Sequence, residues 1–163
     1  MNVIQSRFGE IEYDPQAVLH FPHGLIGFED LRDFVVMPNE KDGPLFWIQS
    51  VEDAQVALVL TDPTNFFPTY MVEPEVHERK VLGMEGEDKW HALVVVTVDT
   101  DRKVTLNLVA PILFAPHTNR AIQVILESSG YSIQTPLPVI EQSAGKPNAK
   151  SGEGASEKTV ARG

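Results

Sequence analysis

The chain has 163 residues, a length typical of one domain, with 42% hydrophobic and 22% charged residues and a formal net charge of −10 at pH 7. It contains no cysteine, which excludes disulfide bonds, thiolate metal sites and thiol catalysis. The longest apolar stretch, residues 92–98, is far shorter than the about 20 residues of a membrane-spanning helix. With no basic-plus-apolar leader at the start, we expect a cytoplasmic protein without a membrane partner.

Short apolar or alternating runs between turn residues predict strands in the first half of the chain. A further helical turn is expected over Glu29–Asp33, and the glycines at positions 24 and 27 indicate a turn. The predicted strands of this half are 10–13, 18–21, 34–37, 45–48 and 57–60.

One helix is predicted over residues 74–82. Pro74 suits a first helical position and Gly83 suits the position after the last one. Glu75 and Arg79 lie four residues apart, the spacing of a modestly stabilising pair.

The second half reads as an antiparallel meander. Residues 92–98 have the continuous apolar character of a buried strand, and residues 104–110 alternate, before Pro111 marks an edge, bend or bulge. Two more strands are predicted at 112–114 and 122–126. Many short strands with one or two short helices predict a mainly antiparallel all-β fold, a closed or partly closed barrel-like domain.

The chain ends in a segment of different composition. Residues 141–163 are poor in bulky apolar side chains, so we expect this tail to be disordered and residues 1–140 to form a single barrel-like domain. The body carries 9 basic and 20 acidic residues, whereas the tail carries 4 and 3. An acidic body predicts no direct binding to nucleic acid and favours encounter with a basic protein. The alternative is that the charge only keeps the protein soluble.

The familiar motifs of catalysis and cofactor binding are missing from the sequence. The chain has no Gly-x-Ser-x-Gly nucleophile turn and no phosphate-binding Gly-x-x-x-x-Gly-Lys, and its acidic clusters read as solvated. Glu73 and His77 are spaced for a shared cation, with His91 as a candidate third ligand, but exposed polar side chains are the ordinary interpretation. We therefore expect no enzyme activity, no cofactor and no metal site.

The loop over residues 62–70 carries three aromatic rings and two prolines, which makes it the strongest candidate for protein contact. We expect Phe66 or Phe67 to plug the end of the barrel, and the other ring and Tyr70 to be exposed. The candidate contact residues are Phe66, Phe67, Pro68 and Tyr70, with Gln49, Asn107 and Gln123 as supporting polar groups. Buried packing or turn roles are the alternative for the last three, although strand alternation places Asn107 opposite the core face.

Five motifs follow one another along the chain. They are Gly24-Leu25-Ile26-Gly27-Phe28-Glu29 with Phe34, the run 46–53, Asp62-Pro63 leading into Phe66-Phe67-Pro68, the run 105–112, and Asn119-Arg120 through 123–126 to Tyr131. In order and spacing, over about residues 2–138, they resemble the motifs of the flagellar assembly factor FliW family. The chain departs from the family pattern at Thr69 and Met71, where acidic residues are usual, and at Phe114-Ala115, where the strand usually ends in asparagine.

The resemblance implies a role without catalysis. Similar proteins bind the mRNA-binding translational repressor CsrA, prevent it from silencing flagellin synthesis, and also bind flagellin, which titrates the factor away. We expect the same two partners here and a monomer in their absence. Two alternatives remain open: a small β-barrel enzyme holding a flavin or other cofactor in its mouth, and a structural subunit that assembles with itself.

Overall fold

A computed structural model describes residues 2–6, 9–37, 44–127 and 129–137. These ranges contain eleven strands, one α-helix and two short 3-10 turns at Pro15–Ala17 and Pro63–Asn65. The strands are β1 (Asn2–Ser6), β2 (Gly9–Tyr13), β3 (Val18–His20), β4 (Asp33–Met37), β5 (Leu45–Ser50), β6 (Ala57–Thr61), β7 (His91–Val98), β8 (Val104–Leu106), β9 (Ile112–Ala115), β10 (Arg120–Gln123) and β11 (Thr135–Pro136), and the helix is α1 (Val76–Leu82).

Seven of these strands form a closed barrel, in the order β7-β6-β5-β4-β3-β10-β9, with β9 pairing back to β7. Neighbouring strands run antiparallel, except that β10 and β3 run parallel through the single residue pair Arg120 and His20. At this seam the His20 N–H donates to the Asn119 carbonyl oxygen at 2.9 Å. The predicted mainly antiparallel barrel is confirmed.

Two groups of strands lie outside the barrel. Strand β8 pairs with the last three residues of β7, and β11 pairs with β8, so these two strands extend the sheet beyond the barrel. Strand β1 pairs with β2 in a separate hairpin. Neither β1 nor β11 was predicted, because β1 has only two apolar residues, Val3 and Ile4, between polar ones, and β11 has only two residues. In the hairpin, Ile4 and Ile11 are register partners and both are half-buried.

The apolar residues form two clusters on opposite faces of the barrel wall. One is the barrel interior, because every barrel strand contributes to it: Leu19, Phe34, Ile48, Leu60, Leu93, Val95, Ile112 and Ala121. The other, the outer layer, takes the alternate residues of the same strands, such as Val94 and Leu113, together with Leu82 of α1 and Leu106 of β8. Because side chains alternate along a strand, the barrel wall has two buried faces where the outer layer covers it.

The helix begins two residues later than predicted. Glu75 is the N-cap, and its backbone N–H donates to the Glu78 side chain at 2.8 Å in a capping box, so Pro74 precedes the helix. Gly83 ends the helix with φ of 69°, as predicted. The Arg79 guanidinium donates to the Gly86 carbonyl oxygen at 2.7 Å.

Two further expectations are wrong. No helix forms over Glu29–Asp33, because Asp33 already belongs to β4 and pairs with β3. The alternating run 104–110 is a strand only to Leu106, after which the chain turns at residues 108–109. Within the described ranges, no helix has the length and apolar character needed to cross a membrane. The predicted disordered tail lies outside the described residues.

Candidate functional site

The aromatic loop is anchored at its start by a capped 3-10 turn. Asp62 Oδ1 accepts hydrogen bonds from the Thr64 N–H at 2.9 Å and from the Thr64 hydroxyl at 2.7 Å. Phe66 and Phe67 both donate their backbone N–H groups to the Pro63 carbonyl oxygen. Their half-buried rings pack against the outer layer, so neither plugs the end of the barrel as expected.

Tyr70 lies in the core and not on the surface. It is 5% exposed, and its hydroxyl donates to the Leu108 carbonyl oxygen at 2.7 Å. The ring of Tyr131 covers it at a centroid distance of 5.0 Å. Burial, with a smaller contribution from Tyr131, raises the pKa of the Tyr70 phenol well above its ordinary value. The expected exposure of Tyr70 is therefore wrong.

The surface beside the buried Tyr70 is apolar all the same. Met71 is 74% exposed and Tyr131 is 40% exposed. We call the set Phe66, Phe67, Pro68, Met71 and Tyr131 the aromatic end. It includes two residues that sequence reasoning did not select for contact, Met71 and Tyr131. Nothing local in the sequence places position 131 beside position 70.

Gln49 is fully buried and holds the loop between β5 and β6. Its side-chain nitrogen lies 3.1–3.3 Å from the carbonyl oxygens of Ser50, Asp53, Ala54 and Val56. Its side-chain oxygen has no hydrogen-bond partner. With 0% exposure, Gln49 fits the buried packing role and offers a partner nothing to contact.

Asn107 and Gln123 meet at Ala110. The Ala110 N–H donates to Asn107 Oδ1 at 3.2 Å, and Gln123 Nε2 donates to the Ala110 carbonyl oxygen at 3.0 Å. Gln123 Oε1 also accepts from the Ile26 N–H at 2.9 Å. Both side chains are half-buried. Asn107 thus lies beyond the end of β8, and its side-chain oxygen holds the turn that follows the strand.

The turn after β3 is a feature whose exposed side chains sequence reasoning missed. The turn itself was predicted, and Gly24 and Gly27 adopt φ of 68° and 88° there. Ile26 is 51% exposed and Phe28 is 39% exposed, whereas Leu25 between the glycines is buried. The available indication was that the apolar residues Ile26 and Phe28 lie on either side of Gly27 in a predicted turn.

Acidic side chains dominate the described surface. The described ranges contain 18 acidic and 7 basic residues, and every acidic residue except Asp33, Glu78 and Asp88 is exposed. The exposed charge of the described body is therefore strongly negative.

Glu75, His77 and Glu78 form a group whose ligand atoms lie within 4.8 Å of one another. The Glu75 and Glu78 side chains already close the capping box, which accounts for the group without an ion. The predicted pairing of Glu73 with His77 on one helical face is wrong, because Glu73 precedes the helix.

Comparison with known proteins places the chain in one family. The family model described as FliW protein matches residues 2–137. The chain is 64% identical over 135 residues to the flagellar assembly factor FliW of Syntrophotalea carbinolica, an alignment that covers 83% of this chain and 96% of that protein. It is 57% identical over 142 residues to flagellar assembly factor FliW 2 of Desulfotalea psychrophila, covering 87% and 94%.

A solved structure agrees with these sequence relatives. The crystal structure of a flagellar assembly factor FliW matches with a TM-score of 0.77 at 30% identity, covering 85% of this chain and 98% of that one. The chain therefore belongs to the FliW family of flagellar assembly factors.

Proposed function

We propose that this protein acts in the cytoplasm by binding other proteins, without catalysis. It binds a CsrA-type translational repressor and so permits flagellin synthesis, and it binds flagellin, which withdraws it from the repressor. The observation that carries the proposal is the family match over residues 2–137, which spans the whole described body.

The charge of the body supports a basic partner. The described residues have a net charge of −11, from 7 basic and 18 acidic side chains. A repressor that binds RNA phosphates needs a basic surface, and opposite potentials accelerate protein association. The same negative field repels RNA, so the protein acts on the repressor and not on its message.

The aromatic end supports the flagellin assignment. Phe66 and Phe67 are half-buried against the outer layer, and the 74% exposed Met71 follows at the end of the same loop. Apolar surfaces of this kind receive the apolar face of an amphipathic helix, and methionine adapts to different helices. At this surface Met71 replaces a charge that the family pattern usually has.

The packing of the barrel favours this role over a cofactor-binding enzyme. Phe21, Phe34, Ile48 and Leu60 are all 0% exposed and fill the barrel interior. Small-molecule sites need an open concave volume lined by apolar and polar groups. In the described barrel that volume is occupied by side chains.

The test is to measure the mass of the purified full-length protein alone and with each purified partner, by size-exclusion chromatography with light scattering at low and at high salt. We expect a monomer alone and a complex with each partner, the repressor complex being the more salt-sensitive. Met71→Asp weakens the flagellin complex, and Val76→Asp, equally exposed on α1, serves as its control. Co-elution with neither partner contradicts the proposal, and a stable homo-oligomer alone favours the structural-subunit alternative.

A further inference from the structure

The turn between β3 and β4 is built to hold its tip rigidly. Leu25 is 2% exposed and anchors the turn in the barrel interior. The Phe28 N–H donates to the Leu25 carbonyl oxygen at 2.8 Å, and the return bond is 3.3 Å. Gly24 cannot be replaced without disturbing the backbone, because a Cβ there would lie 2.5 Å from the Glu29 carbonyl oxygen.

Side-chain bonds lock the tip further. Gln123 of β10 accepts from the Ile26 N–H at 2.9 Å, and Glu29 Oε2 accepts from the Gly27 N–H at 3.1 Å. Ile26 and Phe28 nevertheless stay 51% and 39% exposed. A surface that is already ordered loses little conformational entropy when a partner binds it.

A third exposed apolar residue lies on the other side of the barrel seam. Beyond β10 the chain stays extended. The Val124 N–H donates to the Pro111 carbonyl oxygen at 3.0 Å, and the Leu126 N–H donates to the Val109 carbonyl oxygen at 2.7 Å. Gln123 and Ile125 therefore share one face of the extended segment, about 7 Å apart. Ile125 is 58% exposed, and Gln123 is the residue bonded to the turn. We call Ile26, Phe28 and Ile125 the turn surface.

The rim of the turn surface is acidic. Glu29 and Asp30 follow the turn directly, Glu127 lies two residues after Ile125 in the sequence, and all three are exposed. The nearby basic residue Arg32 donates its Nε to the Glu29 carbonyl oxygen at 3.2 Å. A second copy of this chain would bring the same negative rim against this one, which disfavours self-association here.

We propose that the turn surface is the docking site for the basic partner, which inserts apolar side chains between Lys or Arg residues that meet the acidic rim. The inference rests on the proposed function and assigns one of its two partners to a surface distinct from the aromatic end. The occupant spans the seam, because Ile26 and Phe28 follow β3 whereas Ile125 follows β10. A partner bound there therefore stabilises the junction of β3 and β10, which a single residue pair, Arg120 and His20, joins.

The experiment compares the full-length protein with the double variant Ile26→Ser/Ile125→Ser, using the purified CsrA-type repressor and purified flagellin as probes in calorimetry. The control is Val98→Ser, a comparably exposed apolar residue on β7. We expect the double variant to bind the repressor at least about tenfold more weakly, since each side chain loses apolar contact area. The double variant should bind flagellin as tightly as the unaltered protein does. The control variant Val98→Ser should keep the affinity of the unaltered protein for both probes.

A second measurement avoids dependence on the variants. Amide hydrogen exchange of the unaltered protein should slow at residues 24–28 and 123–126 when the repressor is added, and not when flagellin is added. If the unaltered protein binds the repressor but the double variant binds equally well and these amides stay unprotected, the inference is wrong and the proposed function stands. If the unaltered protein binds neither probe, both are wrong. Loss of flagellin binding alone also overturns the inference.

Discussion

The hydroxyl of Tyr70 donates a 2.7 Å hydrogen bond to the carbonyl oxygen of Leu108, which ties the aromatic loop to the turn that follows β8. Tyr70→Phe keeps the ring and removes this bond, so we expect unfolding free energy to fall by about 1 kcal/mol. Urea unfolding at neutral pH measures it. Tyr13→Phe, half-buried on β2, is the control and should change little; equal losses would mean that the bond is not the cause.

Alkaline pH should destabilise the protein through the same residue. Burial, and then Tyr131, raises the pKa of Tyr70 in the folded state, so the folded protein keeps a proton that the unfolded chain releases above about pH 10. Stability contributed in this way is complete below pH 10 and is lost as pH rises beyond it. Unfolding free energies measured across this range should decline less steeply for Tyr70→Phe. Parallel curves for the two proteins would contradict the assignment.

Gly24 and Gly27, in the turn between β3 and β4, make a matched pair for substitution. The Cβ of Gly27→Ala would lie in open space, so only the backbone strain at φ of 88° opposes the substitution. We expect the unfolding free energy to fall by about 1–2 kcal/mol. Gly24→Ala adds an overlap with the Glu29 backbone to similar strain, for a loss above about 3 kcal/mol. Thermal or urea unfolding ranks them, and a milder effect at Gly24 would show that the turn is more adaptable than its geometry indicates.

Gln123 bonds both Ile26 and Ala110, and Gln123→Met removes both contacts at similar volume. We expect a loss of about 1–3 kcal/mol and faster hydrogen exchange at the Ile26 amide. Gln55→Met, at an exposed loop position, is the control. Unchanged exchange at Ile26 would mean that the turn is held by its glycines and backbone bonds alone.

Much of the barrel could be predicted from local patterns. The strands around Phe34, Ile48 and Leu60 are marked by apolar runs between turn residues, and the end of α1 is marked by Gly83. The parallel closure could not be predicted, because it depends on one pair of residues, Arg120 and His20, that are distant in sequence.

The candidate site was harder to predict from the sequence than the barrel, because segments distant in sequence decide which of its side chains are buried. Tyr70 looked like a surface ring because nothing in its own loop covers it; Tyr131 does so. The alternation through Asn107 predicted a continuing strand, but the chain turns there and the Asn107 side chain bonds Ala110. Tertiary contacts overrode the local pattern at both residues.

Displacement of RNA from the repressor is the measurement that decides whether this protein acts by binding another protein. A labelled flagellin message is bound to the purified CsrA-type repressor, this protein is added, and flagellin is added last, with anisotropy followed throughout. We expect release of RNA on the first addition and rebinding on the second, with no binding of RNA by this protein alone. RNA that stays on the repressor at saturating amounts of this protein would show that the proposed function is wrong.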